Sequence, residues 1–371
     1  MRLSLLAVLA AGVPALPLMA QAAAPLPAAA SPADLAAVPV AAGEGGQVAA
    51  KLADELVATF VFRQQAESYA AMLRKNAAAG LYDSGTRGDV AKRMTDDLQA
   101  VHKDGHLHVM VAEPEEQGGA NGGAPKNFPP LIQSAKWIAP GVAYIRPTAF
   151  MSTDEEIADF KKFMSEHSSA KTIIFDLRNH HGGRLGEMDV IFPYLFATKT
   201  PLVRTQMARS IFDKFGSPFG EAPTLEFVKD AEHITATHYA LPGADTPLRK
   251  ATVLLLVSNK TGSAGEHFSL AMKSTGRATL IGEATAGANH FGGPAPLNDH
   301  FAVWMPVGRT FDIKTGKDWE GDGVAPDVQA DPKQALVVAL EKAGLSHEEA
   351  VRLDATEVPA EPVHSDKLRA R

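Results

Sequence analysis

Ser263 stands between an apolar run of strand length, Thr252–Val257, and a stretch with helical spacing that continues to Lys273. A serine placed there would lie at the carboxyl end of a strand, beside a helix N-terminus whose backbone N–H groups suit an oxyanion. The same residue could simply cap its helix, a common role for serine. A Gly-x-Ser-x-Gly elbow is not formed, because Thr261 stands at its first glycine, and this demotes the α/β-hydrolase fold. An acylating serine needs a base and an orienting acid, drawn from anywhere in the chain. Three groups of histidines compete for the role: His102, His106 and His108; His180 and His181; and His290. Lys260 and His267 lie close in sequence to Ser263. The set His102, His106, His108 with Asp104 also has the spacing of metal ligands, since i and i+4 share a helical face. It lacks the glutamate of an H-E-x-x-H motif, and no metal is expected.

The composition narrows the chemistry. Among 371 residues there is no cysteine, which removes thiol nucleophiles, disulfide frameworks and Cys-ligated zinc. A net charge of −7 argues against a general nucleic-acid binder, which needs a basic face. The start combines Arg2, an apolar run from Leu3 to Val13 and the A-x-A site Ala20-Gln21-Ala22, the pattern of a secretory signal peptide over residues 1–22. Gly12, Pro14 and Pro17 interrupt the run, which speaks against a spanning anchor. The expected location is therefore periplasmic or secreted, with no lipobox cysteine and no stable membrane insertion after cleavage.

The elements that must position Ser263 follow from periodicity. Residues 23–46, rich in Ala and Pro, read as a flexible tether. Residues 47–110 read as a small helical domain, with Leu52, Leu56 and Phe60 and then Val90, Met94 and Leu98 at helical spacing. A Gly/Pro/Asn-rich linker covers 111–134. From 135 to 345, apolar strands (Val142–Ile145, Thr172–Leu177, Thr252–Val257, Ala278–Ile281, Phe301–Met305) alternate with helices, which indicates an α/β core with a largely parallel sheet. Segment 207–250 is poorly patterned and reads as an excursion over the site, and 346–371 as a polar tail with one short helix.

Several motifs, in order along the chain, resemble one family. Asp176-Leu177-Arg178-Asn179 through Gly182-Gly183, Ser263-Ala264-Gly265-Glu266, Gly282-Glu283-Ala284-Thr285-Ala286-Gly287 and Glu320-Gly321-Asp322-Gly323-Val324-Ala325-Pro326-Asp327 are similar to elements of the carboxyl-terminal processing, or tail-specific, serine proteases. The resemblance implies a ClpP/crotonase-like α/β fold and a serine-type peptidase acting on a peptide or protein, with no cofactor. Position 288, where the processing proteases carry a lysine base, is Ala288, and the stretch between His108 and Gly141 is too short for their PDZ module. Both absences resemble the tricorn core and the modules of interphotoreceptor retinoid-binding protein. That branch implies Ser263 as nucleophile, His106 as base and Glu320 as the acid orienting it. Gly105 replaces a serine that tricorn carries before its histidine. A neutral imidazole accepts a serine proton near neutral pH, as this assignment requires. The Ala264 N–H with that of Gly182 or Gly183 would serve an oxyanion. The alternative expectation is a weakly active or inactive module that binds an apolar ligand or a peptide on the same fold.

Overall fold

The computed structural model describes residues 31–112, 130–243 and 247–357. The expected signal peptide lies outside them. Helices α1 (Pro32–Ala36), α2 (Glu44–Thr59), α3 (Arg63–Ala78) and α4 (Arg87–Val101) come first, then strand β1 (His108–Val111). Next follow β2 (Ile132–Ala139), β3 (Val142–Pro147), α5 (Asp154–Glu166), β4 (Thr172–Asp176) and α6 (Gly186–Leu195). The middle of the chain adds β5 (Thr200–Ala208), α7 (Arg209–Phe215), β6 (Leu225–Lys229), β7 (His233–Ala240), β8 (Thr252–Val257) and α8 (Ala264–Ser274). The last elements are β9 (Thr279–Gly282), β10 (Phe291–Pro296), β11 (Phe301–Phe311), β12 (Val328–Gln329), α9 (Ala335–Lys342) and α10 (His347–Thr356).

Two sheets result, and the chain is α/β as its patterning indicates. One runs β12-β9-β8-β4-β3-β2 and is parallel except for the β2–β3 pair. Its central strands are apolar on both sides because both faces are covered. Ile173, Phe175, Val253 and Leu255 meet Phe160, Met188, Phe192 and Phe268 of the helices α5, α6 and α8. Ile174, Leu254 and Leu256 face Leu336 and Leu340 of α9 instead. Each such buried side chain contributes about 1.5–3 kcal/mol. The chain leaves β4 through Asp176, whose carboxylate takes hydrogen bonds from the Tyr144 hydroxyl (2.6 Å), Arg146 Nε (3.0 Å) and Arg178 Nη2 (2.7 Å). Burial alone would raise this carboxyl; the Arg178 and Arg146 guanidiniums hold it well below the usual carboxylate range. That clamp fixes the start of the loop that carries Gly182 and Gly183.

The second sheet, β1-β11-β5-β7-β6 with β10 on β11, is antiparallel. Segment 207–250, expected as an excursion, supplies β6, β7 and the end of β5 to it, with the helix α7 between β5 and β6. Antiparallel strands that leave one side partly solvated carry no continuous apolar run, so periodicity passed over them. The helical segment has no core to itself either. Leu52, Leu56, Tyr69 and Leu98 pack with Phe301, Val303 and Met305 of β11, and the described residues from Pro32 onward form one compact unit.

The expected tether is partly structured: α1 lies in it, and Glu44, at the start of α2, accepts from His300 Nδ1 (2.6 Å) and Asn298 Nδ2 (3.2 Å). The expected linker contains β1's last residue and the first three residues of β2. The expected tail begins with α10, which buries Ala350, and Arg146 Nη2 donates to the Glu357 carbonyl (2.6 Å).

Candidate active site

Ser263 sits where β8 gives way to α8, as its N-cap residue. Its backbone angles are φ 49°, ψ −114°. Only two non-glycine residues among those described have positive φ, Ser152 and Ser263. An L-residue there carries about 1–3 kcal/mol of strain, which persists only where the surroundings enforce it. Three contacts do so. The Gly262 N–H donates to the His180 carbonyl (2.9 Å), the Ala286 N–H to the Thr261 carbonyl (2.9 Å), and the Ser263 N–H to Glu266 Oε2 (2.8 Å). The capping reading is thus realised: Ser263 and Glu266 form a capping box, the Glu266 carboxylate accepting the Ser263 N–H and the Ser263 side chain facing the Glu266 N–H.

Gly182 lies directly against this turn. A Cβ built on it would stand 2.6 Å from Ser263 Cβ and 3.2 Å from its Oγ, at φ +103°. Gly182→Ala is therefore expected to destabilise the fold by about 1–3 kcal/mol and to displace Ser263, a loss that denaturant unfolding measures. The two loop glycines differ in what their N–H groups do. Gly182 N–H donates to His180 Nδ1 (3.2 Å). Gly183 is exposed, and among the described residues neither its N–H nor that of Ala264 has an acceptor. His180 is fully buried, and burial depresses its pKa to about 3. Its Nδ1 accepts the Gly182 N–H, so it stands as a neutral post beneath the turn.

Glu266 collects four donors: the N–H groups of Ser263, Gly287 (2.7 Å) and Ala288 (3.0 Å) and the Thr285 hydroxyl (2.7 Å). Burial nonetheless raises its pKa to about 6. Its Oε2 joins the nucleophile turn to Ala288, and Ala288 in turn abuts the segment carrying His106. A Cβ on Gly105 would lie 3.2 Å from Ala288 Cα and 3.3 Å from Glu320 Oε1.

Glu320 arrives at the same place but not on the imidazole. Its carboxylate accepts the N–H groups of Gly105 (2.5 Å), Asn289 (2.7 Å) and His290 (3.0 Å). Burial, reinforced by Asp104, raises its pKa. His106 Nδ1 is buried and has no partner, so the orienting bond expected from Glu320 is absent and the carboxylate holds the backbone before His106 instead. The His106 ring stacks on Trp304 (centroids 6.2 Å, 23°), and burial depresses its pKa to about 4. Among the described residues, no hydrogen bond joins the side chains of Ser263, His106 and Glu320.

Asp104 explains how the His106 segment is shaped. Its Oδ1 accepts the N–H groups of His106 and Leu107 (2.9 Å each), and its Oδ2 meets His290 Nδ1 at 2.6 Å. Burial opposes charge on both partners, yet this contact lowers the Asp104 pKa and raises that of His290. Asp104, His290 and Glu320 place donor atoms within 4.8 Å of one another, in metal-ligand fashion. Hydrogen bonds already occupy these atoms, a pattern of an ion pair rather than of an ion cage. The His102, His106, His108 spacing does not converge: His102 Nε2 meets Gln65, and His108 Nδ1 meets the His106 carbonyl. Sequence reasoning assigned no role to Glu266, although Ser-x-x-Glu before a helix is a capping-box signal.

The model of peptidase family S41 matches residues 141–330, which include Gly182, Gly183, Ser263, Ala264 and Glu320 and begin after His106. A chloroplastic C-terminal processing peptidase of Tetradesmus obliquus is 27% identical over 206 residues, 54% of this chain but only 38% of that protein. The photosystem II D1 C-terminal processing protease superposes with a TM-score of 0.51 at 15% identity, over 83% of this chain and 96% of that one. A putative peptidase from Parabacteroides merdae reaches 0.55, also at 15% identity, over 83% and 98%. At such identity these two structures speak to the fold.

Proposed function

The chain belongs to peptidase family S41, and on that premise we propose that it is an exported serine endopeptidase acting through an acyl-enzyme on Ser263. The carrying observation is the strained N-cap geometry of Ser263 beside two N–H groups without acceptors, those of Ala264 and Gly183. On this reading the substrate carbonyl takes hydrogen bonds from both, and the tetrahedral oxyanion gains most from fixed donors. Gly183 is the better second donor, since the Gly182 N–H is already engaged. His106 accepts the serine proton and returns it to the leaving amine. Its depressed pKa keeps it neutral, hence able to accept, at any pH well above 4. Glu320 is a positioning residue here, fixing His106 through Gly105. The substrate is a peptide or protein. Export rests on the pattern of residues 1–22; among the described residues no helix is long and apolar enough to cross a membrane.

A fluorophosphonate probe should phosphonylate Ser263, as peptide mass mapping can verify. His106→Ala is expected to slow labelling by about 10²–10⁴; an unchanged rate removes His106 as base. A second reading, peptide binding without turnover, is favoured by one observation, the unpartnered Nδ1 of His106. Saturable peptide binding with neither cleavage nor labelling would establish it instead.

A further inference from the structure

Two buried glutamates behind the Gly183 loop have no role in the chemistry above. Glu156 of α5 is 2% exposed and Glu187 of α6 is 0% exposed. Both reach the ledge 148–152 on which the loop rests. The loop is laced to that ledge by His181 N–H to the Thr148 carbonyl (2.8 Å), Phe150 N–H to the Gly182 carbonyl (2.8 Å) and Arg184 N–H to the Phe150 carbonyl (2.6 Å). The ledge ends at Ser152, the second residue with positive φ, at 55°. Glu187 Oε1 accepts the Ser152 N–H (2.5 Å) and its Oε2 the Ser152 hydroxyl (2.8 Å), while Glu156 Oε2 accepts the Met151 N–H (2.9 Å). Glu156 Oε1 is buried and has no donor, alone among the four oxygens.

We propose that Glu156 and Glu187 share one proton, carried on Glu156 Oε1 and donated to Glu187, and so lock the ledge that aims the Gly183 N–H at Ser263. They are positioning residues, and the proposal rests on Ser263 being the nucleophile. Two buried carboxylates that accept the adjacent N–H groups of Met151 and Ser152 are crowded away from water and do not both carry charge, so one keeps its proton. Burial, and next the Glu187 carboxylate, push the Glu156 pKa up to about 8. The other charged groups around the pair are engaged or exposed. Asp189 of α6 is taken by His238 of β7 and by Thr224, Lys136 of β2 by Glu357, and Arg249 donates to the Gly243 carbonyl. Asp154 and Glu155 of α5, Arg184 and Lys250 are exposed. Among the described residues no cation forms an ion pair with either glutamate.

The sign of the pH effect follows. Below about 8 the pair holds one proton and its hydrogen bond; above it two charges repel, the Ser152 anchor loosens, and the oxyanion donor drifts. Fluorophosphonate labelling rates measured from pH 6 to 10 test this on the full chain, with Ser263→Ala as control. The wild type is expected to lose rate above about pH 8. Glu156→Gln, whose amide N–H replaces the shared proton, should label within about 3-fold of wild type at pH 7 and lack the alkaline fall. Glu187→Gln, which sets an amide against the Ser152 donors, should slow labelling about 10-fold or more at every pH, since small misplacements of reacting groups are costly. An alkaline fall in Glu156→Gln equal to that of wild type overturns the proposal and leaves Ser263 in place. Undiminished labelling of Ser263→Ala overturns the nucleophile and the proposal together.

Discussion

Ser263→Ala is expected to lower peptide hydrolysis by at least about 10³-fold, the scale on which triad nucleophiles are lost. The fold should survive. Alanine meets the same positive φ, and the N–H bond to Glu266 and the close approach of Gly182 do not involve the hydroxyl's proton. The thermal midpoint should therefore shift little while labelling disappears. Labelled casein supplies a turnover assay free of assumptions about the natural substrate. Full casein cleavage by the alanine variant would remove the serine mechanism. Equal loss of activity and of folding would leave the N-cap role as the serine's main contribution.

How much of this was legible in the sequence differs between the strand ends and the groups behind them. Thr172–Asp176 and Thr252–Val257 announce themselves because both faces are buried, so every position is apolar and the loops after them are easily placed. Gly182 and Ser263 were legible for a related reason: each stands in a short motif at the carboxyl end of a parallel strand. The β5–β7 sheet was not, since antiparallel strands exposed on one side mix Arg204, Gln206 and Thr235 with their apolar residues. The role of Glu320 was half legible. Its place beside the His106 segment agrees with the resemblance, but whether a carboxylate reaches an imidazole or the N–H before it depends on the local direction of the chain. Spacing in sequence does not carry that. Glu156 and Glu187 were invisible for another reason. Helix-surface glutamates and buried ones look alike in sequence until tertiary packing decides which face is covered.

Glu266→Gln is the second large effect, and it separates activity from stability by sign. The carboxylate serves four donors, and an amide can serve at most those facing its single oxygen, leaving N–H opposed to N–H at the other. Unsatisfied buried donors cost about 1–3 kcal/mol each, and one of the four holds the strained Ser263 backbone, so hydrolysis should fall about 10-fold or more. The pH profile distinguishes this from general loosening. In the wild type, Glu266 protonates below about pH 6, one oxygen ceases to accept, and activity should decline there. Stability should move the other way. A carboxyl whose folded pKa is raised from 4.5 to about 6 makes the fold most stable below the unfolded value, and that increment is lost as pH rises through 6. Glu266→Gln should abolish both slopes and leave an acid limb governed by His106 near pH 4. An acid limb that stays near pH 6 in the variant would show that another group controls the nucleophile turn.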